Sequence, residues 1–565
     1  MKCDFEIIME EIEIMEHMSN LFSFVGGLGM FLFGMNIMAD GLQQSAGGKM
    51  KQLLGYLTNN RVLGVLVGAL VTAIIQSSSA TTVMVVGFVN AGILNLVQAV
   101  GVIMGANIGT TITAWLVSAS EWGAIFKPET FAPLLLGIGA FILLFAKSKR
   151  NTTTAHILIG FGLLFIGLSG MSSAIKVYRD SPIFAQAFAT LGGNPILGIL
   201  TGAVVTAIIQ SSSASIGILQ ALALNGIVSW PAAIYITLGQ NIGTCVTALL
   251  SSLGANRTAK RAAVIHLTFN VFGAVMFGVI AVIGFKTFLT GLLTATITST
   301  GISIFHTIFN VTNTLILFPF AGALVKLSDK IIRGTDEVLD EEDEILHHLD
   351  ERILETPSFA VENAVKEVVR MGNIAAENLK HAIECMLSDK PDEKMIQEII
   401  KKEVFINRIE KSLTEYLVKI SNLSLSEAQN RTVDNLFYTV SDIERVGDHA
   451  ENLAEFIQYR IDHGISFSEN AGNEFMIMGE TVEKCFCDAI KARETEELEY
   501  IRNVIRLEDE VDTMEEELRE KHIERLSAGK CTAEVGVIFL DAISNLERVA
   551  DHAVNIAGYV KDELK

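Results

Sequence analysis

Val71–Ala80 reads VTAIIQSSSA, and the same ten letters return 134 residues later at Val205–Ala214. The duplication continues at the same offset, because GANIGTTITAWL at Gly105–Leu116 is matched by GQNIGTCVTALL at Gly239–Leu250. In membrane proteins, two self-similar halves are typical of secondary transporters, whose sites form where the repeats meet near the bilayer midplane. The repeat therefore predicts both a duplicated fold and the position of its central site.

Charge divides the 565-residue chain into an apolar part and an acidic part. Between Asn20 and Val325 there are thirteen Lys or Arg and only four acids, whereas the whole chain carries a net charge of −21. A membrane span requires about 20 apolar residues, because its backbone polar groups must be satisfied without water. Candidate apolar stretches are Leu21–Met38, Val62–Ala91, Val97–Val117, Phe131–Ala146, His156–Met171, Ile196–Leu224, Ala232–Leu250, Ala262–Phe285 and Ile302–Leu324.

The basic loops predict how the two halves are oriented. Bases from Lys49 to Arg61 follow the first apolar stretch, whereas bases from Lys147 to Arg150 precede its counterpart in the second half. If basic loops face the cytoplasm, the two stretches cross the membrane in opposite directions and the repeats are inverted. Lys326–Arg333 at the exit then places the acidic C-terminal part in the cytoplasm.

These patterns predict an all-α, polytopic protein of the inner (cytoplasmic) membrane, embedded in lipid and followed by a soluble helical bundle. Its acidic charge argues against a nucleic-acid partner, which would favour a basic surface. The expected domains are a membrane domain at 20–330 with repeats at about 20–146 and 155–325, an acidic linker at 331–357 and a cytoplasmic domain at 358–565.

The Gln-Ser-Ser-Ser units place four consecutive polar side chains inside apolar runs. Consecutive residues on a helix point in different directions, so the four cannot all face one partner helix. A break in the helix at the serines resolves this conflict, because freed N–H groups, hydroxyls and the Gln amide then converge. Half-helix N-termini favour an anion, and carbonyls with hydroxyls can hold Na⁺. The alternative is close helix packing through small hydroxyl residues.

The Asn-Ile-Gly-Thr stretches after each unit offer similar groups, although packing of Gly and Thr explains them equally well. The candidate ligands for substrate and ions are Gln76, Ser77, Ser78, Ser79, Asn107, Thr110, Thr111, Gln210, Ser211, Ser212, Ser213, Asn241 and Thr244. Neither a base nor an acid lies in these segments. An anionic substrate would therefore be neutralised by co-bound cations, which predicts cation-coupled transport.

With HLTFN at His266–Asn270 and HTIFN at His306–Asn310, these motifs resemble the sodium-dependent phosphate cotransporter family (type II, found in bacteria and animals). The resemblance covers about Leu21–Lys326. It implies sodium-coupled movement of inorganic phosphate, with the serine hydroxyls at the phosphate and sodium sites. For the His and Asn residues we expect a helix-packing role. Some bacterial members are thought to work mainly in export, so the direction of transport stays open.

The acidic part is duplicated too, because E-R-V-x-D-H-A-x-N begins at Glu444 and again at Glu547. Acids spaced by four line one face of a helix, and upstream helices carry matching acidic faces. Two such faces packed together give an oxygen-rich cation site, suited to Mg²⁺, Mn²⁺ or iron. The candidate metal ligands are Glu403, Asn407, Glu444, Asp448, Glu508, Asp512, Glu547 and Asp551. The alternative is a salt-bridged surface, with Arg445 and Arg548 pairing the acids.

This motif pair resembles a PhoU-type domain, over about Ser358–Lys565. The resemblance implies six helices arranged as two three-helix repeats, divalent or iron cations as ligands, and a role in modulating transport. Asn407 stands where Asp is more usual in that family, which implies weaker metal binding in the first repeat.

The sequence leaves other functions open. The membrane half could sense phosphate as a receptor while the bundle signals, or it could carry another oxyanion such as sulfate. A homodimer is compatible with either role. An enzyme is disfavoured, because no GxxxxGK[ST] loop and no nucleophile with a base at a motif spacing occur.

Overall fold

The computed structural model describes residues 2–55, 60–122, 128–145, 148–179, 181–334, 349–388 and 393–564. The chain forms two compact units. The first comprises Met1–Glu337 together with Asp350–Ser358, and the second contains Phe359–Lys565. Regular structure in the described ranges is helical, apart from one isolated bridge between Ser229 and Thr296.

The first unit contains fourteen described α-helices, many of which begin at a residue whose side chain caps the first turn. They are α1 (Lys2–Gly55), α2 (Arg61–Ile75), α3 (Ser78–Asn90), α4 (Leu96–Gly109), α5 (Thr111–Ser118), α6 (Pro128–Phe145), α7 (Lys149–Lys176), α8 (Pro182–Gly193), α9 (Pro195–Ile209), α10 (Ser212–Leu224), α11 (Trp230–Ser251), α12 (Arg257–Thr287), α13 (Ser299–Leu317) and α14 (Ala321–Ile331).

Both Gln-Ser-Ser-Ser units interrupt helices, as the sequence predicts, and each forms what we call a broken pair: α2–α3 in the first repeat and α9–α10 in the second. Gln76 has φ 58° and Gln210 has φ 56°, so both adopt the left-handed conformation that ends a helix. The next residue is the N-cap of the following helix in both cases. The Ser77 hydroxyl accepts from the Ala80 amide at 3.1 Å, and the Ser211 hydroxyl from the Ala214 amide at 3.2 Å.

Close backbone packing is repeated in the two halves. A Cβ at Gly105 would lie 2.0 Å from the Val65 carbonyl oxygen, and a Cβ at Gly239 would lie 1.9 Å from the Ile199 carbonyl oxygen. Only glycine permits this approach of α4 to α2 and of α11 to α9. The same sequence pattern therefore builds the same helix pair twice.

Within the described residues, six helices are long and apolar enough to cross a membrane. They are Met15–Ala46, Leu96–Glu121, Asn151–Lys176, Trp230–Ser251, Arg257–Thr287 and Ser299–Ile331. A seventh span would be Ala185–Gly193 with Pro195–Ile209, which are bent by 112°. Val62–Ala91 and Ile196–Leu224, apolar stretches in the sequence, are each divided by the break at Gln. The chain is therefore a multi-pass membrane protein with broken helices.

In its described residues the second unit is a bundle of six helices, the number that the resemblance implies. They are α15, which begins in the first unit (Pro357–Leu387), α16 (Glu393–Ser421), α17 (Glu427–His463), α18 (Glu469–Thr495), α19 (Leu498–Ser527) and α20 (Ala533–Glu563). The two copies of the motif meet where α17 packs on α20. His449 Nδ1 lies 2.8 Å from Asn545 Oδ1, and His552 Nδ1 lies 2.7 Å from Asp442 Oδ1.

The expected linker at 331–357 differs along its length. Residues 335–348, which include most of its acids, lie outside the described residues. Asp350–Ser358 belongs to the first unit and contains a short 3-10 helix at Glu351–Glu355. Ile353 in this segment is fully buried, so the segment is packed rather than solvated.

Candidate substrate and metal sites

The two Gln-Ser-Ser-Ser units, 134 residues apart in the chain, meet in the first unit. Ser78 Oγ lies 3.4 Å from Ser212 Oγ. Ser213 Oγ donates to the Gln76 carbonyl oxygen at 3.3 Å, which crosses from the second repeat to the first. All three serines are buried, with exposed fractions of 7% or less. The breaks of the two repeats therefore face each other.

This meeting brings two helix N-termini together. The first amides of a helix have no intrahelical acceptor. In the described part of the chain, the amides of Ser78 and Ser79 on α3, and of Ser212 and Ser213 on α10, have no backbone acceptor. Each helix N-terminus carries a partial positive charge of about half an elementary charge. Free N–H groups, hydroxyls and two positive helix ends together form a site suited to an anion.

Five helices at this site carry no formal charge. Helices α3, α4, α5, α10 and α11 contain neither a base nor an acid. A multiply charged anion bound here would meet only dipoles and hydroxyls from the protein. Cations that bind with it would supply the remaining charge compensation.

The two glutamines have different surroundings. Gln76 is 7% exposed, and its Oε1 accepts from Thr113 Oγ1 at 3.0 Å. Gln210 is exposed and makes no side-chain hydrogen bond among the described residues. Ser213 Oγ also lies 3.4 Å from Thr113 Oγ1, so Thr113 joins the two units. The candidate list omits Thr113, although its place in the duplicated Asn-Ile-Gly-Thr stretch could have indicated it.

The other predicted residues of the first unit are buried but bond mostly to carbonyl oxygens three or four residues earlier in the chain. Asn107 donates to the Ile103 carbonyl at 2.9 Å, Thr111 to Ile108 at 2.8 Å, and Thr244 to Gln240 at 2.9 Å. The Thr110 hydroxyl is buried without a hydrogen-bond partner in the described structure. None of these side chains contacts the serines through a hydrogen bond in the described ranges. Their role at the site remains a prediction.

Asn241 lies in a separate cluster of buried amides between α11, α12 and α13. Its Nδ2 donates to Asn310 Oδ1 at 2.8 Å and to Asn270 Oδ1 at 3.3 Å. Its Oδ1 lies 3.2 Å from His306 Nε2. These bonds join the three helices, in agreement with the packing role expected for the His and Asn residues. His266, in contrast, is buried with no described partner for its ring nitrogens.

In the second unit, α16 and α17 bring acids of the first predicted metal site together. Carboxylate oxygens of Glu403, Asp448 and Glu451 lie within 4.8 Å of one another. Burial, followed by the charge of Glu451, raises the pKa of Glu403 to about 7. Burial and the charge of Asp448 also raise the pKa of Glu444. A bound cation would relieve this crowding of negative charge.

Three details of that cluster differ from the predicted ligand set. Glu444, a predicted ligand, is not one of its three acids. Glu451 is in the cluster but not among the candidates, and repeat 2 has Val554 at the corresponding position, so the duplicated motif does not indicate it. Asn407 is exposed and donates through Nδ2 to Glu403 Oε1. Asn407 therefore positions a ligand candidate in the described structure.

The second predicted site is formed by α19 and α20. Carboxylate oxygens of Glu508, Asp512 and Asp551 lie within 4.8 Å of one another. Burial and then the charge of Asp551 raise the pKa of Glu547, which lies one turn before it. Arg445 and Arg548, proposed as partners in the alternative interpretation, form no ion pair with the candidate ligands in the described ranges. The donor set fits a hard cation with oxygen ligands.

Comparison with known proteins identifies both units. Residues 30–173 and 181–299 match the family described as Na+/Pi-cotransporter, and residues 368–457 and 475–560 match the PhoU domain. The chain is 26% identical over 442 residues to the putative inorganic phosphate export protein YjbB of Salmonella typhimurium, covering 78% of each chain. It is 32% identical over 314 residues to the uncharacterized protein YqeW of Bacillus subtilis, covering 55% of this chain and 98% of YqeW.

Among solved structures, PhoU from Pseudomonas aeruginosa is similar, with 21% identity and a TM-score of 0.35, covering 36% of this chain and 97% of that one. The matched families contain transport and accessory proteins rather than enzymes, in agreement with the sequence. The chain belongs to the Na+/Pi-cotransporter family of phosphate transport proteins and carries a C-terminal PhoU domain.

Proposed function

We propose that this protein transports inorganic phosphate together with sodium ions across the inner membrane. One observation carries the proposal: two helix N-termini, from opposite repeats, meet with Ser78 Oγ and Ser212 Oγ 3.4 Å apart. Phosphate binds between them, held by the free amides and hydroxyls of α3 and α10. The predicted ligands Gln76, Ser77–Ser79 and Ser211–Ser213 line this site.

Sodium coupling is supported by charge. Helices α3, α4, α5, α10 and α11 offer no base to compensate phosphate, and the matched family is described as Na+/Pi-cotransporter. Sodium ions bind next to phosphate through hydroxyl and carbonyl oxygens, which suit a hard cation. Asn107, Thr110, Thr111 and Thr244 supply oxygens on the helices that follow the broken pairs.

The sequence and the relatives support a proposed topology and direction. The basic loops support inverted repeats and a cytoplasmic PhoU domain. The name of YjbB, a putative inorganic phosphate export protein, favours outward movement, which a sodium-coupled carrier makes only where the outward phosphate gradient exceeds the inward sodium gradient. Because a coupled carrier follows its combined gradients, the same protein moves phosphate either way in vitro.

Purified full-length protein in liposomes tests the function. An inward sodium gradient is expected to drive uptake of labelled phosphate, and an equal potassium gradient is the control. Equal uptake with the sodium and potassium gradients would contradict coupling of phosphate to sodium. Absence of any phosphate movement would favour a receptor. Reversing the gradient should drive release from loaded liposomes.

Selectivity is decided in the same assay. Excess unlabelled phosphate should suppress uptake of labelled phosphate, whereas the same concentration of sulfate should leave this uptake nearly unchanged. Strong competition by sulfate would indicate a transporter of another oxyanion.

The PhoU domain modulates this cycle and binds metal at its two acidic clusters. Each repeat has three carboxylates whose oxygens lie within 4.8 Å of one another, and several of these groups have raised pKa values. This arrangement supports Mg²⁺, Mn²⁺ or iron as the bound cation. Metal analysis of the full-length protein, before and after chelation, tests this part of the proposal.

A further inference from the structure

The segment just before the PhoU domain packs against the membrane unit. We call Asp350–Thr356 the latch segment. Ile353 and Thr356 in it are 0% and 1% exposed, and Asp350 is 9% exposed. Ile353 lies over Gly87 of α3, where an added Cβ would be 3.1 Å from Ile353 Cγ1. An acidic, charged connector would otherwise be expected to stay in solvent.

The polar contacts of the segment are directed at the end of α3. Asp350 Oδ2 accepts from Asn90 Nδ2 at 2.7 Å, and Asn90 is the last residue of α3. Asn90 Oδ1 in turn accepts from the Asn256 amide at 2.8 Å, next to the start of α12. Asn90 is therefore held from two sides.

An arginine extends the same contact to α11. Arg352 Nε donates to the carbonyl oxygen of Ser251, the last residue of α11, at 2.6 Å. Arg352 Nη1 lies 2.6 Å from Asp350 Oδ2, and the Arg352 amide lies 2.9 Å from Asp350 Oδ1. The segment thus joins the ends of α3 and α11, the helices that carry a serine unit and an Asn-Ile-Gly-Thr stretch.

The end of α10 in the second repeat can be compared with the end of α3 in the first. The residue after α10, Asn225, donates to Ser172 of α7 at 2.9 Å, within the membrane repeats themselves. The end of α3 is held within the repeats by Asn256 and, in addition, by Asp350 from outside them. The latch segment continues directly into α15, because Pro357 follows Thr356 and begins that helix.

We propose that the latch segment restrains α3 and so couples the state of the PhoU domain to the rate of transport. This inference rests on the proposed function, in which the N-terminus of α3 binds phosphate and α3 moves during the cycle. While the segment is docked, Asp350 and Arg352 anchor the far end of α3 to α11. These contacts add to the bonds from Asn90 to Asn256, next to α12. A change in the PhoU domain that withdraws α15 releases Asn90 from Asp350 and lets α3 move.

Two variants of the full-length protein remove the latch without changing the binding site. Asp350→Ala with Arg352→Ala removes the polar contacts, and Ile353→Asp removes the apolar one. Glu355→Ala is the matched control, because Glu355 is exposed and has no described contact. Both latch variants should transport phosphate roughly threefold to tenfold faster than the control, a range that corresponds to the net contribution of one typical intramolecular hydrogen bond. The KM for phosphate should stay unchanged.

Hydrogen–deuterium exchange on the same samples measures directly how strongly the segment restrains the end of α3. Peptides covering the end of α3 should exchange faster in both latch variants than in Glu355→Ala. Equal exchange and equal transport in all variants would overturn the latch, and slower transport would make the segment a support rather than a restraint. If the wild-type protein moved no phosphate, the proposed function would fail, and the exchange data would still decide whether the segment holds α3.

Discussion

The broken pairs α2–α3 and α9–α10 share ten identical residues but not the same surroundings. The shared part is local: each has a left-handed Gln, a Ser N-cap and one bond across the break. Thr72 Oγ1 donates to Thr81 Oγ1 at 3.0 Å, and Thr206 Oγ1 donates to Ser215 Oγ at 2.9 Å. Sequence alone therefore determines the break.

The two pairs differ in the hydrogen bond between the Gln side chain and a threonine of the duplicated stretch Gly105–Leu116 or Gly239–Leu250. Gln76 accepts from Thr113, whereas Gln210 is exposed and the equivalent Thr247 hydroxyl is buried without a described partner. Identical residues thus adopt a closed arrangement in one repeat and an open one in the other. In a carrier built from inverted repeats, exchange of these two arrangements would give alternating access. The comparison suggests that the Gln–Thr bond closes one side of the site.

The largest expected effect comes from removing what the pairs share. Ser77→Ala with Ser211→Ala deletes both N-caps, each worth about 0.5–2 kcal/mol, at the helix ends that bind phosphate. Sodium-driven phosphate uptake in liposomes should fall below detection while the protein still inserts. Ser120→Ala, a buried serine bonded to the Val117 carbonyl at 3.0 Å, is the control and should keep its activity. Retained uptake in the double variant would contradict the assignment of the site.

A smaller effect is expected from removing the Gln–Thr bond, which among the described residues only the first pair forms, and this effect should differ between the two repeats. Thr113→Val leaves buried Gln76 Oε1 without its donor, which costs about 1 kcal/mol, or roughly fivefold in the local equilibrium. Thr247→Val removes a hydroxyl that has no described partner in this state. Hydrogen exchange in Val71–Gln76 should therefore accelerate only in Thr113→Val.

Transport separates this interpretation from simple local packing. Each cycle visits both arrangements, so both threonine variants should lower the rate of uptake. Equal exchange in the two variants would mean that the Gln76–Thr113 bond does not hold the first pair closed. Normal uptake with Thr247→Val would mean that Gln210 never forms the equivalent bond.

Much of this arrangement could be predicted from sequence, because repetition supplies internal evidence. The serine units predicted the helix breaks, and the conflict between four polar side chains and one helix face gave the physical reason. The E-R-V-x-D-H-A-x-N copies likewise indicated acids such as Asp448 and Asp551, each of which lies in an acidic cluster. Family membership and the all-α fold followed from the same motifs.

What the sequence did not indicate depends on contacts between distant segments. Glu451 belongs to an acidic cluster but has no counterpart in the second repeat, where Val554 stands. Asn241 shares the pattern of Asn107, but Asn241 bonds to Asn270 of α12 and Asn310 of α13, whereas Asn107 bonds to a carbonyl of its own helix. Asp350 lies in a charged connector, and only packing shows that it bonds to Asn90.

The smallest effect on transport is expected from the second duplication, in the PhoU domain. Asp448→Ala with Asp551→Ala removes one carboxylate from each acidic cluster, which should abolish bound metal because each cluster then keeps only two close carboxylates. Uptake of phosphate should stay within about twofold of wild type, since the variants leave the serine site and the latch segment intact, and sites with no shared partners couple by only about 0.3–0.5 kcal/mol. Single variants sharpen the comparison between the two repeats: Asp551→Ala should remove the tighter metal, because Asn407 replaces an acid in the first. Unchanged metal content in the double variant, measured by mass spectrometry on full-length protein, would exclude these clusters as the binding sites.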